Sequence, residues 1–68
     1  MISGLQDELH GLDHEIERLR RRMWAIEHGL EVVADPEGEL CALRQEFDAA
    51  GRRFTQVYRA WSRQHAAE

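Results

Sequence analysis

The sequence predicts an all-α fold, an antiparallel two-helix coiled-coil hairpin, and three observations carry that prediction. Apolar residues recur at alternating steps of three and four along two runs; the runs are of similar length; and the short segment "ADPEGE" separates them. The first run, Ile2, Leu5, Leu9, Leu12, Ile16, Leu19, Met23, Ile26, Leu30 and Val33, forms one continuous seam. The second, Leu40, Leu43, Phe47, Ala50, Phe54, Val57 and Trp61, keeps the same step, and Gln64 continues it in polar form.

These patterns place helix 1 at about residues 3–33, a turn at about 34–38 and helix 2 at about 37–66. Asp35 is a suitable N-cap for the second helix, Pro36 suits its first turn, and Glu39 complements the positive end of the helix dipole. Each helix would be roughly 45 Å long, and a short link between two such helices folds them back antiparallel. Pairing Val33 with Leu40 sets Met23 opposite Ala50, Leu19 opposite Phe54 and Leu12 opposite Trp61. In that register Glu27 and Arg44 stand close enough to pair, while Arg22 and Arg53 face each other with like charge. Gly4, Gly11 and Gly29 interrupt helix 1 and Gly51 interrupts helix 2, each at about 1 kcal/mol relative to Ala.

A 68-residue chain is at most one domain, and two helices alone bury only one stripe each. The apolar residues left outside the seam, Trp24, Ala25, Val32, Ala42, Ala49 and Tyr58, point to a further contact, in a four-helix homodimer or with a partner protein. The formal net charge of −4 disfavours a dedicated nucleic-acid binder, although all nine basic residues are Arg. Cys41 is the single cysteine, so no intrachain disulfide forms. The first residues lack the basic and apolar regions of a signal peptide, and no apolar run reaches membrane-spanning length. The expectation is a soluble cytoplasmic protein with no membrane association.

Arg18, Arg20, Arg21, Arg22, Arg52 and Arg53 make a basic girdle at mid-hairpin, either a solvated face relieved by pairs such as Glu17 with Arg21 or a contact for an acidic partner or phosphate. His10 and His14 share a helix face, but "HGLDH" lacks the glutamate placement of the zinc-protease motif, and surface roles are expected for them and for His28 and His65. No phosphate loop, nucleophile elbow or paired-cysteine motif occurs. No metal, cofactor or small-molecule substrate is therefore expected, since a two-helix hairpin has no interior in which to hold one.

One motif stands apart. In "LRQEFD", Leu43 and Phe47 belong to the seam, so Arg44, Gln45, Glu46 and Asp48 project outward, with Gln45 and Asp48 one turn apart. Such an amide and carboxylate can orient water for in-line attack on a phosphoryl group held elsewhere. "IERLRRRMWAIEHGL", a turn, "LRQEFD" and an aromatic six residues beyond the aspartate together resemble the small sporulation-regulating aspartyl-phosphate phosphatases, over about residues 16–54. Leu43, Gln45, Glu46 and Asp48 match that family's signature and Phe54 stands for its later tyrosine. Arg44 replaces its serine, Phe47 replaces its leucine, and the segment between Leu30 and Leu43 is longer. The resemblance implies a hairpin that docks on a phosphorylated response-regulator receiver domain and hastens loss of its aspartyl phosphate, with Gln45 and Asp48 as the active positions.

Trp24 falls on the same side as Arg20, Glu27, Arg44, Asp48 and Gly51, which joins an exposed aromatic, a backbone-revealing glycine and the motif's aspartate on one face. The leading expectation is a small regulatory or adaptor hairpin acting through protein contact, in its most concrete form that phosphatase. Two alternatives remain: an RNA-binding four-helix dimer of the plasmid copy-control type, similar in length and hairpin form, and a structural or co-chaperone subunit of a larger assembly.

Overall fold

Heptad spacing and strong helix formers give two helices and no other regular element among the described residues. The computed structural model of the chain describes residues 4–66. α1 is Gly4–Glu27 and α2 is Pro36–Ala66, and they pack side by side in an antiparallel hairpin of 50 × 17 × 14 Å. Ile2 of the expected seam lies outside the described residues. No helix among the described residues is long and apolar enough to cross a membrane.

Leu19, Ile26 and Leu43 are buried together, with Met23, Val33, Leu40 and Phe47 packed against them, and Val57 is buried further along. Even Leu43, the most enclosed of these, keeps 3% of its surface exposed. Among the described residues four apolar side chains are buried, and at about 1.5–3 kcal/mol each they make a thin core.

α1 stops at Glu27, six residues before the expected end, because Gly29 takes the left-handed conformation at φ 74°. Its N–H donates to the Ile26 carbonyl at 3.2 Å and the Leu30 N–H donates to the Ala25 carbonyl at 2.8 Å. Those two bonds satisfy carbonyls that the last helical turn would otherwise leave unpaired, the closure that a glycine just past a helix end favours. The connection therefore runs over residues 28–35, not about 34–38. Leu30 leaves the expected seam and is 70% exposed, and Val32 is 94% exposed, whereas Val33 folds back onto the core.

The early stop also moves the register. Residues 30–35 cross between the helices and do not climb another heptad, so α2 slides by about one heptad from the expected pairing. Arg22 now meets Glu31 of the connection (Nε, 3.0 Å) and Glu39 of α2 (Nη2, 2.9 Å). Arg53 meets Glu8 (Nε, 2.9 Å), with a second contact from Nη2 to the same oxygen. Arg22 and Arg53 consequently stand at different levels, each facing a carboxylate, and the expected like-charge encounter does not occur. Phe54 shares a groove with Leu9 instead of facing Leu19.

α2 begins as its sequence requires. The Asp35 carboxylate accepts the Gly38 N–H at 3.2 Å and its carbonyl accepts the Glu39 N–H at 2.9 Å, which makes Asp35 the N-cap and Pro36 the first helical residue. Gly38 leaves the cap room, because a Cβ there would collide with the Asp35 carboxylate. Glu37 and Glu39 lie in the first turn and Arg63 in the last, each with the sign the helix dipole favours.

Gly29 and Gly11 should respond to alanine with opposite signs. Gly29→Ala forces a left-handed alanine and should lower stability by about 1 kcal/mol, whereas Gly11→Ala meets open space within a regular helix and should raise it by about 0.5–1 kcal/mol. Urea unfolding followed by circular dichroism measures both; equal effects would contradict a helix end at Gly29.

Candidate protein-docking face

The two flanks of the seam differ in kind. With 3.6 residues per turn, Arg20 and Trp24 project across the seam from Arg22. The Arg22 flank is laced by the Arg22 bridges to Glu31 and Glu39 at one end and by Arg53 with Glu8 at the other. Glu31 first, and then Glu39, raise the Arg22 guanidinium above its ordinary value. All these groups are substantially solvated, so their value lies more in fixing register than in stability.

The opposite flank is open. Trp24 is 52% exposed there, and its indole stacks on His28 with centroids 4.2 Å apart and planes 22° from parallel. The His28 Nδ1–H donates to the Trp24 carbonyl at 2.9 Å, so the imidazole is anchored to the end of α1 and holds one face of the indole while the rest meets solvent. An aromatic held in place loses little conformational freedom on binding. Arg20, Met23, Trp24 and Glu27 of α1, with Arg44, Phe47 and Asp48 of α2, line one groove of about 370 Å³. The groove continues along α2 past Phe47, Asp48, Gly51, Arg52, Thr55, Gln56 and Arg59.

The structure thus brings Arg20, Trp24, Arg44 and Asp48 together, as the sequence led one to expect, and sets Gly51 in the adjoining stretch. Glu27 and Arg44 share the groove, but no ion pair joins them among the described residues. Gln45 and Asp48 are both exposed yet differently placed. Asp48 lines both stretches of the groove, whereas Gln45 lines neither and approaches Cys41 Sγ at 3.8 Å. Thr55, Gln56 and Arg59 were not singled out by sequence, although Arg59 repeats Arg52 at heptad spacing and marks the same outer face. His10 lines a groove with Leu9, Asp13 and Phe54, and no group of three or more His, Cys, Asp or Glu suited to a metal occurs among the described residues.

The basic girdle is largely neutralised within the chain. Arg18 binds Glu15 at 2.9 Å, Arg20 and Arg21 both bind Glu17 (2.8 and 3.2 Å), Arg22 binds Glu31 and Glu39, and Arg53 binds Glu8. Of the girdle only Arg52 enters no ion pair among the described residues, and outside it Arg44, Arg59 and Arg63 are in the same position. Uncommitted positive charge therefore gathers on α2.

No protein-family model, curated protein or solved structure matches this chain. The functional reading rests on the face itself.

The hydrogen bond from Arg20, with lesser help from Arg21, holds the Glu17 carboxyl below the usual glutamate value. A lowered folded-state value means that the contribution of this pair is present at neutral pH and is lost as pH falls through the Glu17 titration. Carboxyl-carbon NMR titration should place Glu17 below the ordinary glutamate value, and Arg20→Gln should return it toward that value. A Glu17 titration unchanged by that substitution would show that the pair does not hold in solution.

Proposed function

We propose that this chain is a small regulatory hairpin that acts by docking on another protein through the groove around Trp24, Arg44 and Asp48. The observation that carries this reading is the asymmetry of the two flanks: one is laced by interhelix ion pairs, whereas the other presents a half-exposed tryptophan, pre-stacked on His28, beside Arg44 and Asp48, which form no ion pair among the described residues. Tryptophan and arginine are the side chains on which interface energy concentrates. A thin core gives the same face a second reason to be covered.

The most concrete partner is a phosphorylated receiver domain, as the resemblance in "LRQEFD" implies. The phosphoryl group would arrive on the partner's aspartate, and the hairpin would supply polar groups that orient a water molecule for in-line attack at phosphorus. The P–O bond to the partner's carboxylate breaks, the carboxylate leaves with the electron pair, and inorganic phosphate departs with the water oxygen. Asp48 is the residue best placed for that role, because it is exposed, lines the groove and has no cation of its own among the described residues. Gln45, one turn away, would have to reach in from beside Cys41.

Mixing the protein with phosphorylated receiver domains and following phosphate release tests both parts. The wild-type chain should accelerate release, Asp48→Ala should bind and lose the acceleration, and Trp24→Ala should bind about tenfold or more weakly with its helicity intact. No acceleration with any receiver, or an unchanged rate for Asp48→Ala, would overturn the phosphatase reading. Binding indifferent to Trp24→Ala would overturn the docking face.

A further inference from the structure

Charge along the two helices changes sign halfway, and it does so in opposite senses. On α1, residues 4–17 carry Asp7, Glu8, Asp13, Glu15 and Glu17 and no Arg, and then Arg18, Arg20, Arg21 and Arg22 come after them. On α2, Glu37, Glu39, Glu46 and Asp48 come first with Arg44 among them, and residues 49–66 carry Arg52, Arg53, Arg59 and Arg63 with no carboxylate side chain. Because the helices run antiparallel, the acidic half of α1 lies level with the basic half of α2: Glu8 reaches Arg53, and Asp13 shares a groove with Phe54. Near the middle the signs exchange, and Arg20 of α1 shares a groove with Asp48 of α2. Intrachain pairing leaves part of this pattern unused. Asp7, Asp13, Glu27 and Asp48, and Arg44, Arg52, Arg59 and Arg63, form no ion pair among the described residues.

Exposed area points the same way. The chain presents 5371 Å² of accessible surface at a mass of 8.0 kDa, where a compact monomer of that mass presents roughly 4450 Å². The elongated 50 × 17 × 14 Å shape accounts for that excess and leaves the Trp24 flank long enough for the ~800 Å² that each side of a standard stable interface removes from water.

We infer that a second copy of this chain covers the Trp24 flank in a twofold dimer with both connections at the same end, α1 of each copy lying against α2 of the other. A twofold axis parallel to the helices preserves levels, so Asp7, Asp13, Glu27, Asp48, Arg44, Arg52 and Arg59 each meet an opposite charge. Asp7 and Asp13 of one copy face Arg59 and Arg52 of the other, Arg20 and Arg21 face Asp48, and Glu27 and Trp24 face Arg44. The reversed arrangement, α1 on α1 and α2 on α2, carries Arg44 toward Arg59 and Arg63 of the second copy and Glu27 toward Asp7, like charge against like. Such juxtapositions are what select one orientation over another. Gly51 meets open space on this flank, and in the dimer it lets the opposing α1 approach near Glu17. The inference stands without the receiver reading and adds one consequence to it: the second copy covers Trp24 and Asp48, so self-association and partner docking exclude each other.

Sedimentation equilibrium of the protein alone, with no partner added, tests the dimer. Wild type should be dimeric. The charge-reversed variants R52E/R59E and D7R/D13R should each dimerise about tenfold or more weakly while keeping their helical circular dichroism, and mixing the two should restore a dimer. Only the arrangement with α1 against α2 makes both interfaces of that mixed dimer complementary. A monomeric wild type, a dimer indifferent to both reversals, or helical variants that stay apart on mixing would each overturn the inference.

Discussion

The left-handed turn at Gly29 governs the rest of the hairpin. Once that glycine closes α1, the next residues cannot extend the seam, and the chain must cross to α2 lower than a longer helix would allow. The one-heptad shift that results decides which flank charges meet. Arg22 finds Glu31 and Glu39, Arg53 finds Glu8, and a hairpin that would have set two arginines together closes one side with opposite charges. A single backbone conformation, favoured because glycine has no Cβ, thus sets the electrostatics of a surface some turns away.

Closing one flank makes the other stand out. Solvated ion pairs contribute little to stability, and the weight of the Glu8, Arg22 and Arg53 bridges is to hold the helices in one register, which fixes the levels of everything across the seam. Trp24, Arg44, Phe47 and Asp48 meet in a groove because of that register. His28, just past the end of α1, completes the face by stacking against the indole of Trp24.

The four buried side chains among the described residues and the exposed tryptophan are two aspects of one fact: two helices touch along one stripe and leave apolar surface outside it. Under the proposed readings a second copy and a docked protein would compete for that surface, so the concentrations of the chain and of its partner would together set which is bound.

The two-helix fold was legible in the sequence, since heptad spacing is a local property that any antiparallel pair must bury, and the capped start of α2 at Asp35 and Pro36 was legible for the same reason. Residues on one helix, such as Arg20 with Trp24 or Arg44 with Asp48, could be placed on one face from their spacing alone. The end of α1 could have been read from "HGL", yet Leu30 and Val33 continue the apolar step, and a pattern cannot show that a glycine has left the helix. Register, and the pairing of Arg22 and Arg53 with carboxylates across the seam, were decided only in the tertiary structure. Each depends on how far the connection carries the chain before α2 begins, and that distance is set by backbone geometry at one residue, not by the order of apolar side chains.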